Sequence, residues 1–286
     1  MTILLLGATG YLGGNIARFL SKEGYTIICV IRRTSDTSRL VFVGNNPVRL
    51  ISNEAAQLEL TFKHEKIDWV INSVCTYKSN NSLYGDMLES NVMFPLSILN
   101  LAIKYGIKNF LTMGTGLPSD FNMYSFTKSK FSEFGRYLSE RGKINFAELL
   151  LELFYGGENE PASRFMNSCA HKLANNEDIQ LTEGNQKRDI VRVEDVEQII
   201  STLLRCNYVS GYMKLPVGSG EQHSIREIVE FMKKSMGSAS KLRFGAIPSR
   251  EGEPDTLADI TWYKELDYTL KHSFFEGLED YSKKTI

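Results

Sequence analysis

Short apolar runs alternate with longer periodic segments through the first half of the chain. The apolar runs predict buried strands, and the periodic segments predict amphipathic helices. The predicted strands are Ile3–Leu6, Thr26–Ile31, Val48–Ile51, Trp69–Asn72, Phe110–Met113 and Phe146–Leu150. The predicted helices are Tyr11–Lys22, Ala55–His64, Leu88–Lys104 and Tyr124–Arg141. This alternation predicts right-handed βαβ units and an α/β fold, in which helices cover both faces of a doubly wound parallel sheet.

The pattern changes after about Leu150. Segments become shorter and more polar, and glycines punctuate them, as in Gly156-Gly157 and Gly218-Ser219-Gly220. We therefore expect one domain in residues 1–150 and a smaller α/β lobe in residues 151–286, with some segments returning to the first domain. In open α/β sheets, ligands bind outside the carboxyl ends of the strands.

Composition narrows the function classes. The chain has 286 residues, 33 basic and 34 acidic, and a net charge of −1, so no charge pattern favours nucleic acid or an anionic membrane as a partner. Its four cysteines form no Cys-x-x-Cys pair, which favours free thiols in a reducing compartment over disulfides or a metal site. The apolar run Ile3–Leu6 is too short for a signal peptide or a membrane span. We expect a cytoplasmic protein without a bound metal.

The first predicted strand runs directly into a glycine-rich loop, Gly7-Ala8-Thr9-Gly10-Tyr11-Leu12-Gly13-Gly14. Gly7 permits a tight turn, Gly10 lets the backbone approach a pyrophosphate, and Gly13 lets helix and strand pack closely. The N-terminus of the next helix adds N–H groups and the positive end of its dipole. A strand-to-helix turn without a ligand is the alternative, but the strand–turn–helix context favours dinucleotide binding. The predicted binding residues are Gly7, Thr9, Gly10, Tyr11, Leu12 and Gly13.

Two arginines follow the second predicted strand, at the position where NAD-binding chains carry an acidic residue. The guanidinium groups of Arg32 and Arg33 suit a 2′-phosphate and gain little from a bare ribose hydroxyl. The alternative is that both merely begin a solvated loop. We expect NADPH rather than NADH as the cofactor, with Arg32 on the 2′-phosphate and Arg33 against the adenine.

Tyr124 and Lys128 lie four residues apart, on one face of a predicted helix. A phenol has a pKa near 10, and a neighbouring ammonium lowers that pKa and favours acid–base work at neutral pH. Thr115, just past the fifth strand, offers a hydroxyl to a substrate carbonyl, with Thr112 as its rival. An isolated Tyr-x-x-x-Lys usually marks a surface helix, but here the pair opens the helix that follows the fifth strand. Thr115, Tyr124 and Lys128 are therefore predicted to be catalytic.

These residues resemble the extended short-chain dehydrogenase/reductases, a family of nucleotide-sugar epimerases, dehydratases and reductases. The resemblance is carried by the Gly-x-x-Gly-x-x-Gly spacing, the Tyr124/Lys128 pair, Asn91 and the segment Arg188–Val196. It implies a Rossmann NADP-binding domain followed by a mainly nucleotide-sugar-binding lobe. Within this family the chain resembles the CDP-paratose and CDP-abequose synthases.

The resemblance also implies binding roles for individual residues. Further cofactor contacts are implied for Asn53, Ser73, Val74, Cys75 and Asn91, beside Tyr124 and Lys128. Substrate contacts are implied for Thr76, Tyr77, Thr115, Glu152, Phe165, Arg188 and Arg250. Arg188 and Arg250 would hold the nucleotide and its diphosphate, because guanidinium groups bind phosphate oxygens bidentately. A structural salt bridge is the alternative for either arginine.

Two departures from the family pattern bear on the reaction. The sugar-facing Asn of the family is Leu153 here, and Thr115 is followed by Gly116 instead of the Asp-Glu pair of the dehydratases. Dehydration is therefore not expected.

The resemblance implies NADPH-dependent reduction of the 4-keto group of a CDP- or dTDP-linked 4-keto-6-deoxy or 3,6-dideoxy sugar. Such a reductase serves deoxysugar biosynthesis for surface polysaccharide, such as the O-antigen of lipopolysaccharide. The alternatives are a 4-epimerase that retains NAD and a non-catalytic NADP-binding regulator. A homodimer is expected through the predicted helices Leu88–Lys104 and Tyr124–Arg141, although the apolar residues Met93, Leu96, Leu99 and Ile103 would equally serve a core.

Overall fold

The computed structural model describes residues 1–40, 48–77 and 84–284, and its main feature is a seven-stranded parallel sheet. The strands are β1 (Thr2–Leu6), β2 (Thr26–Ile31), β3 (Arg49–Ser52), β4 (Trp69–Asn72), β5 (Asn109–Met113), β6 (Asn145–Leu151), β7 (Leu153–Tyr155), β8 (Ile179–Gln180), β9 (Lys187–Arg188), β10 (Ile190–Arg192), β11 (Tyr212–Val217), β12 (His223–Ser224) and β13 (Leu242–Arg243). The helices are α1 (Tyr11–Lys22), α2 (Ala55–His64), α3 (Tyr84–Leu88), α4 (Phe94–Lys104), α5 (Met123–Ser139), α6 (Phe165–Ala174), α7 (Val193–Cys206), α8 (Ile225–Ser235) and α9 (Phe274–Lys284).

The strand order in the large sheet is β11-β6-β5-β4-β1-β2-β3. Leu4 of β1 pairs with Ile28 of β2 on one side and with Val70 of β4 on the other, in parallel register. Winding therefore reverses between β1 and β4, which makes the sheet doubly wound. The predicted fold class is confirmed, and each of the six predicted strands lies in this sheet with its ends shifted by at most one residue.

A buried apolar cluster holds helices against this sheet, because burial removes apolar side chains of six strands, β1 to β6, from water. It includes Leu4, Val70, Ile98, Phe110, Phe131 and Phe146. The approach of α5 to β6 is close, since a Cβ added to Gly135 would overlap the ring of Phe146. The glycine therefore sets the distance between this helix and the sheet.

The predicted helix Leu88–Lys104 is interrupted in the structure. The chain forms α3, a π-helical segment Glu89–Met93 and then α4. Pro95 in the first turn of α4 has no N–H to donate to the preceding turn, so regular α-helical bonding cannot run through this point. Leu99 is fully buried in the core, whereas Met93 is exposed.

The chain divides into two compact units. The first comprises Met1–Thr115, Ser119–Leu150 and Ile200–Leu215, and the second comprises Gly116–Pro118, Leu151–Ile199 and Pro216–Ile286. The second unit has its own apolar core, formed by residues that include Tyr155, Ile190, Ile228 and Leu278. Across the described ranges, no helix combines the length and apolar composition needed to cross a bilayer.

Candidate active site

The glycine loop connects β1 to α1 at the carboxyl edge of the sheet. Gly7 has a φ of +77°, a conformation that side chains disfavour. A Cβ on Gly13 would lie 2.7 Å from the carbonyl carbon of Gly7 and 2.6 Å from the Ser73 hydroxyl oxygen. No side chain caps α1, whose N-cap residue is Gly10. Backbone therefore lines this turn, which fits a pyrophosphate.

The two arginines after β2 differ in their surroundings. Arg32 is exposed, and its guanidinium makes no hydrogen bond or ion pair with any residue that the structure describes. The guanidinium of Arg33 lies 3.8 Å from a carboxylate oxygen of Glu54, with both side chains largely exposed. Asn53 follows β3 and donates its backbone N–H to the carbonyl of Ile31. Arg32 is thus the arginine available for a ligand.

A third arginine, Arg39, lies against the glycine loop. It belongs to a 3₁₀ turn, Ser38–Leu40, and its Nη1 donates to the carbonyl of Thr9 at 3.3 Å. Its Nε is buried and has no hydrogen-bond partner within the described ranges. Sequence analysis missed this residue, because it lies in a polar loop without any periodic pattern. Because its Nε donor lies beside the glycine loop, Arg39 is a further candidate for binding a phosphate of the cofactor.

The loop that follows β4 packs directly on the glycine loop. The Ser73 hydroxyl donates to the carbonyl of Leu6 at 2.7 Å, and the Val74 N–H donates to the Asn72 side chain at 3.1 Å. Because β4 lies beside β1 in the sheet, their carboxyl ends bring Ser73, Val74 and the glycines to one place.

Asn91 joins the loop after β4 to α5 through its side-chain amide. It is 1% exposed. Its amide exchanges hydrogen bonds of 2.8 and 3.0 Å with the backbone of Thr76 and donates to the Thr127 hydroxyl at 3.0 Å. Asn91 therefore ties the loop after β4 to α5, and its predicted contact with the cofactor stays a prediction.

Helix α5 carries the Tyr/Lys pair. It begins with a capping box in which Asn122 and Ser125 each bond the other's backbone N–H, an arrangement that fixes a helix N-terminus. Tyr124 therefore lies in the first turn and Lys128 one turn later. The ammonium of Lys128, whose side chain is almost fully buried, donates to the carbonyl of Val74 at 3.0 Å. The pair faces the loop that follows β4.

Tyr124 lies among other polar groups of the first unit. Its ring centroid is 4.5 Å from that of Tyr77, and its phenol hydrogen-bonds with the side chains of Tyr77 and Thr115. Thr112 lies within β5, is buried and accepts a hydrogen bond from Asn72. Of the two threonines, only Thr115 contacts the phenol.

The predicted lowering of the Tyr124 pKa does not occur in this structure. Burial raises the pKa of this phenol well above its usual value, and Tyr77 and Cys75 add to the increase, while the bond with Thr115 opposes it. Burial also lowers the pKa of Lys128, against the effect of Cys75 and Glu148. Tyr124 is therefore protonated at neutral pH, which is the form that can donate a proton.

The second unit holds four of the residues proposed for the substrate, namely Glu152, Phe165, Arg188 and Arg250. Arg188 forms an ion pair with Glu253 at 2.5 Å and donates to the carbonyl of Pro254, so the structural salt bridge weighed as its alternative is present. Arg250 is exposed, without a hydrogen bond or ion pair in the described part of the chain. Phe165 begins α6 and packs against the core of this unit.

Glu152 is a buried carboxyl group of the second unit. A Cβ on Gly116 would lie 2.7 Å from its Cδ. Burial raises the pKa of Glu152 to about 7, Asp189 adds to the increase and Arg188 opposes it. Near neutral pH this group can both donate and accept hydrogen bonds, as recognition of a hydroxyl-rich ligand requires.

The family model of the NAD dependent epimerase/dehydratase family matches residues 3–211, a span that runs from β1 to the residue before β11. The chain belongs to this family. The resemblance to the extended short-chain dehydrogenase/reductases is thereby confirmed.

Relatives in this family align along most of the chain. A CDP-abequose synthase from Salmonella muenchen is 25% identical over 285 residues, which cover 97% of this chain and 95% of the relative. A dTDP-4-dehydro-6-deoxy-D-allose reductase from a Streptomyces species is 24% identical over 319 residues, which cover 98% and 94%.

Solved structures share the fold. The UDP-glucose 4-epimerase of Stenotrophomonas maltophila, with bound NAD and formylated UDP-arabinopyranose, aligns with a TM-score of 0.85 at 18% identity and covers 100% of this chain and 96% of that one. The UDP-glucose 4-epimerase of Thermotoga maritima, with UDP-glucose, aligns with a TM-score of 0.82 at 19% identity, covering 99% and 98%.

Proposed function

We propose that this protein is an NADPH-dependent 4-ketoreductase that acts on a nucleotide-linked 4-keto deoxysugar. The observation that carries the proposal is the contact between the hydroxyl groups of Thr115 and Tyr124, with Lys128 one turn further along α5. Two hydroxyl groups that meet in this way can bind one carbonyl oxygen.

The chain's residues fit a nicotinamide dinucleotide. The backbone-lined turn at Gly7–Gly13 suits the pyrophosphate, and Arg32, with Arg39 as a further donor, suits a 2′-phosphate. Ser73, Val74 and Cys75 follow β4, beside β1 in the sheet, and suit the nicotinamide half. The dinucleotide, when bound, supplies the hydride for carbonyl reduction.

The protein's part in the reaction is to orient the carbonyl and to move one proton. Thr115 and Tyr124 hydrogen-bond the C4 carbonyl oxygen, and Tyr124 donates its proton to that oxygen as negative charge develops there. The Lys128 ammonium then stabilises the phenolate that is left behind.

The substrate side of the proposal rests on the second unit and on Thr76 and Tyr77. Glu152, with its pKa of about 7, bonds a hydroxyl group, Phe165 packs beside the nucleotide, and Arg188 and Arg250 bind its phosphates. Binding energy from the nucleotide offsets the cost of orienting the sugar. The names of the CDP-abequose synthase and the 4-dehydro-deoxysugar reductase among the relatives support this substrate class.

A homodimer is part of the proposal. Apolar side chains remain exposed on the helical segments Tyr84–Lys104 and α5, although apolar side chains usually avoid water. They are Tyr84, Leu88, Met93, Phe126, Phe134 and Tyr137. Sedimentation of the wild type and of a Phe134→Lys variant tests this assembly, and a monomeric wild type contradicts it.

Incubation with NADPH and a panel of CDP- and dTDP-linked 4-keto sugars tests the activity. We expect stoichiometric loss of NADPH absorbance and a 4-hydroxy product with at least one member of the panel. Interconversion of 4-hydroxy epimers without net NADPH consumption would instead make the protein an epimerase.

A further inference from the structure

A buried carboxylate, Glu148, lies beside α5 and has no part in the function proposed above. It belongs to β6 and is 3% exposed. Gly114 leaves room for it, since a Cβ there would lie 2.7 Å from Cγ and 2.8 Å from Cδ of Glu148. An ionisable group in such a position costs free energy unless other groups stabilise its charge.

Two polar side chains, Ser132 and Lys214, approach the Glu148 carboxylate, and a third, Tyr212, hydrogen-bonds with Ser132. The Ser132 hydroxyl donates to its Oε2, and the Ser132 and Tyr212 hydroxyl oxygens lie 3.0 Å apart. From β11, the Lys214 ammonium approaches Oε2 to 3.8 Å. The carboxylate is therefore fixed in place, and it faces positive charge.

Ser132, which binds this carboxylate, lies on the same helix as the Tyr/Lys pair. Tyr124, Lys128 and Ser132 follow one another at intervals of four residues, so they share one face of α5. The hydrogen bond of the buried Lys128 ammonium goes to the neutral carbonyl of Val74, which offers no countercharge.

Two ionisable groups act on Lys128 from other elements, Cys75 after β4 and Glu148 on β6. Both raise the pKa of Lys128 against the effect of burial. In turn, burial raises the pKa of Glu148, while Ser132, Lys214 and Lys128 oppose the increase. Cys75 is an exposed thiol, so Glu148 is the group able to supply a fixed negative charge.

We propose that Glu148 is a positioning residue that keeps Lys128 in its ammonium form and that Ser132 fixes its carboxylate for this purpose. The role rests on the proposed function, because Lys128 serves the proton donor Tyr124. Without the carboxylate, the buried amine loses its proton at lower pH and can no longer stabilise the phenolate.

An NMR titration measures the pKa of Lys128 in the full chain without cofactor or substrate. Lysine labelled with ¹³C at Cε gives the signal, and the peak missing from a Lys128→Arg variant assigns it. In Glu148→Gln we expect the Lys128 pKa to decrease, because the variant removes an opposite charge that favours the ammonium form. In Ser132→Ala we expect a smaller decrease.

The matched control is Glu133→Gln, which removes a carboxylate from α5, the helix that carries Lys128. Glu133 is exposed and pairs with Lys130 at 2.9 Å, so the Lys128 pKa should not change. If Glu148→Gln does not fold, Ser132→Ala and Glu148→Asp replace it. An unchanged Lys128 pKa in every folded variant at positions 148 and 132 overturns the proposal.

The pH dependence of turnover provides a second measurement. The alkaline decrease in kcat should shift to lower pH in Glu148→Gln, and Glu148→Asp should partly restore the wild-type profile. If the wild type reduces no sugar of the panel, the proposed function fails, but the NMR titration still decides the role of Glu148.

Discussion

At the scale of single residues, the phenol and the ammonium of α5 have pKa shifts in opposite directions. Burial raises the pKa of Tyr124 and lowers that of Lys128, so burial acts against the charged form of both groups. A proton donor needs a protonated phenol at the start of the reaction and a stabilised phenolate at its end. Burial keeps the phenol protonated at the start of the reaction, and stabilisation of the phenolate at its end depends on the charge of Lys128.

Replacement of Tyr124 tests the proton donor. We expect Tyr124→Phe to reduce kcat by about 10²- to 10⁴-fold, the usual contribution of a general acid, with little change in the Kd for NADPH. Steady-state kinetics and cofactor fluorescence measure the two quantities. Tyr77→Phe removes the neighbouring phenol and should have a smaller effect, and full turnover by Tyr124→Phe would exclude the assignment.

Replacement of the arginines after β2 tests the choice of cofactor. Arg32→Ala should weaken NADPH binding by about 10- to 100-fold, because a charge-assisted hydrogen bond contributes about 1.5–3 kcal/mol. NADH binding should hardly change, since NADH lacks the 2′-phosphate. Arg33→Ala is the comparison, because loss of adenine stacking weakens both cofactors alike. Equal loss of both cofactors in Arg32→Ala contradicts the proposed contact.

At the scale of elements, the capping box of α5 connects local stability to the site. Asn122→Ala should decrease the free energy of unfolding by about 1 kcal/mol, the usual cost of a lost N-cap. It should also decrease kcat, because Tyr124 lies in the turn that the cap holds. Chemical denaturation and steady-state kinetics measure the two effects.

Ser224→Ala is the matched control for the cap. Ser224 caps α8 through the same kind of capping box with Glu227, and α8 carries no proposed site residue. A similar loss of stability with unchanged kcat is expected. Equal kcat losses in both variants would show that the Asn122 effect is not local to α5.

Six of the seven strands of the large sheet were predictable because each depends on a local pattern, whereas β11 was not predicted. Apolar runs such as Ile3–Leu6 and the turn at Gly7–Gly13 need no knowledge of distant residues. Contacts between residues far apart in the chain were not predictable. Arg188 was predicted to bind phosphate, but in the structure it forms an ion pair with Glu253. Arg39 donates a hydrogen bond to Thr9, a residue 30 positions earlier in the chain.

The π-helical segment before α4 was missed for a local reason. The apolar spacing predicted one continuous helix, but the proline at position 95 changes the hydrogen-bonding pattern around it. Leu99 turned inward while Met93 stayed exposed, and the spacing alone could not separate these two outcomes.

At the scale of the whole molecule, Glu152 should make stability depend on pH. Its folded-state pKa of about 7 exceeds the usual value of 4.5, so the folded state binds this proton more tightly than the unfolded state. The stabilisation is complete below about pH 4.5 and is lost as the pH rises through about 7, with a magnitude of about 3 kcal/mol at most.

Thermal unfolding from pH 4.5 to 8 measures this dependence. We expect the Tm difference between Glu152→Gln and the wild type to shift in favour of the variant as the pH rises. Parallel Tm curves for the two proteins would mean that Glu152 is not protonated in the folded state.

The ion pair between Arg188 and Glu253 has a consequence for the phosphate contact that is proposed for Arg188. An anion that binds the Arg188 guanidinium has to displace a carboxylate of the chain itself, and this exchange subtracts from its affinity. A monoanion merely replaces one negative charge by another, whereas a diphosphate brings more charge and more acceptor oxygens to the same fork. If Arg188 binds the nucleotide as proposed, the Glu253 carboxylate would therefore favour highly charged ligands over the chloride and carboxylates of the surrounding solution.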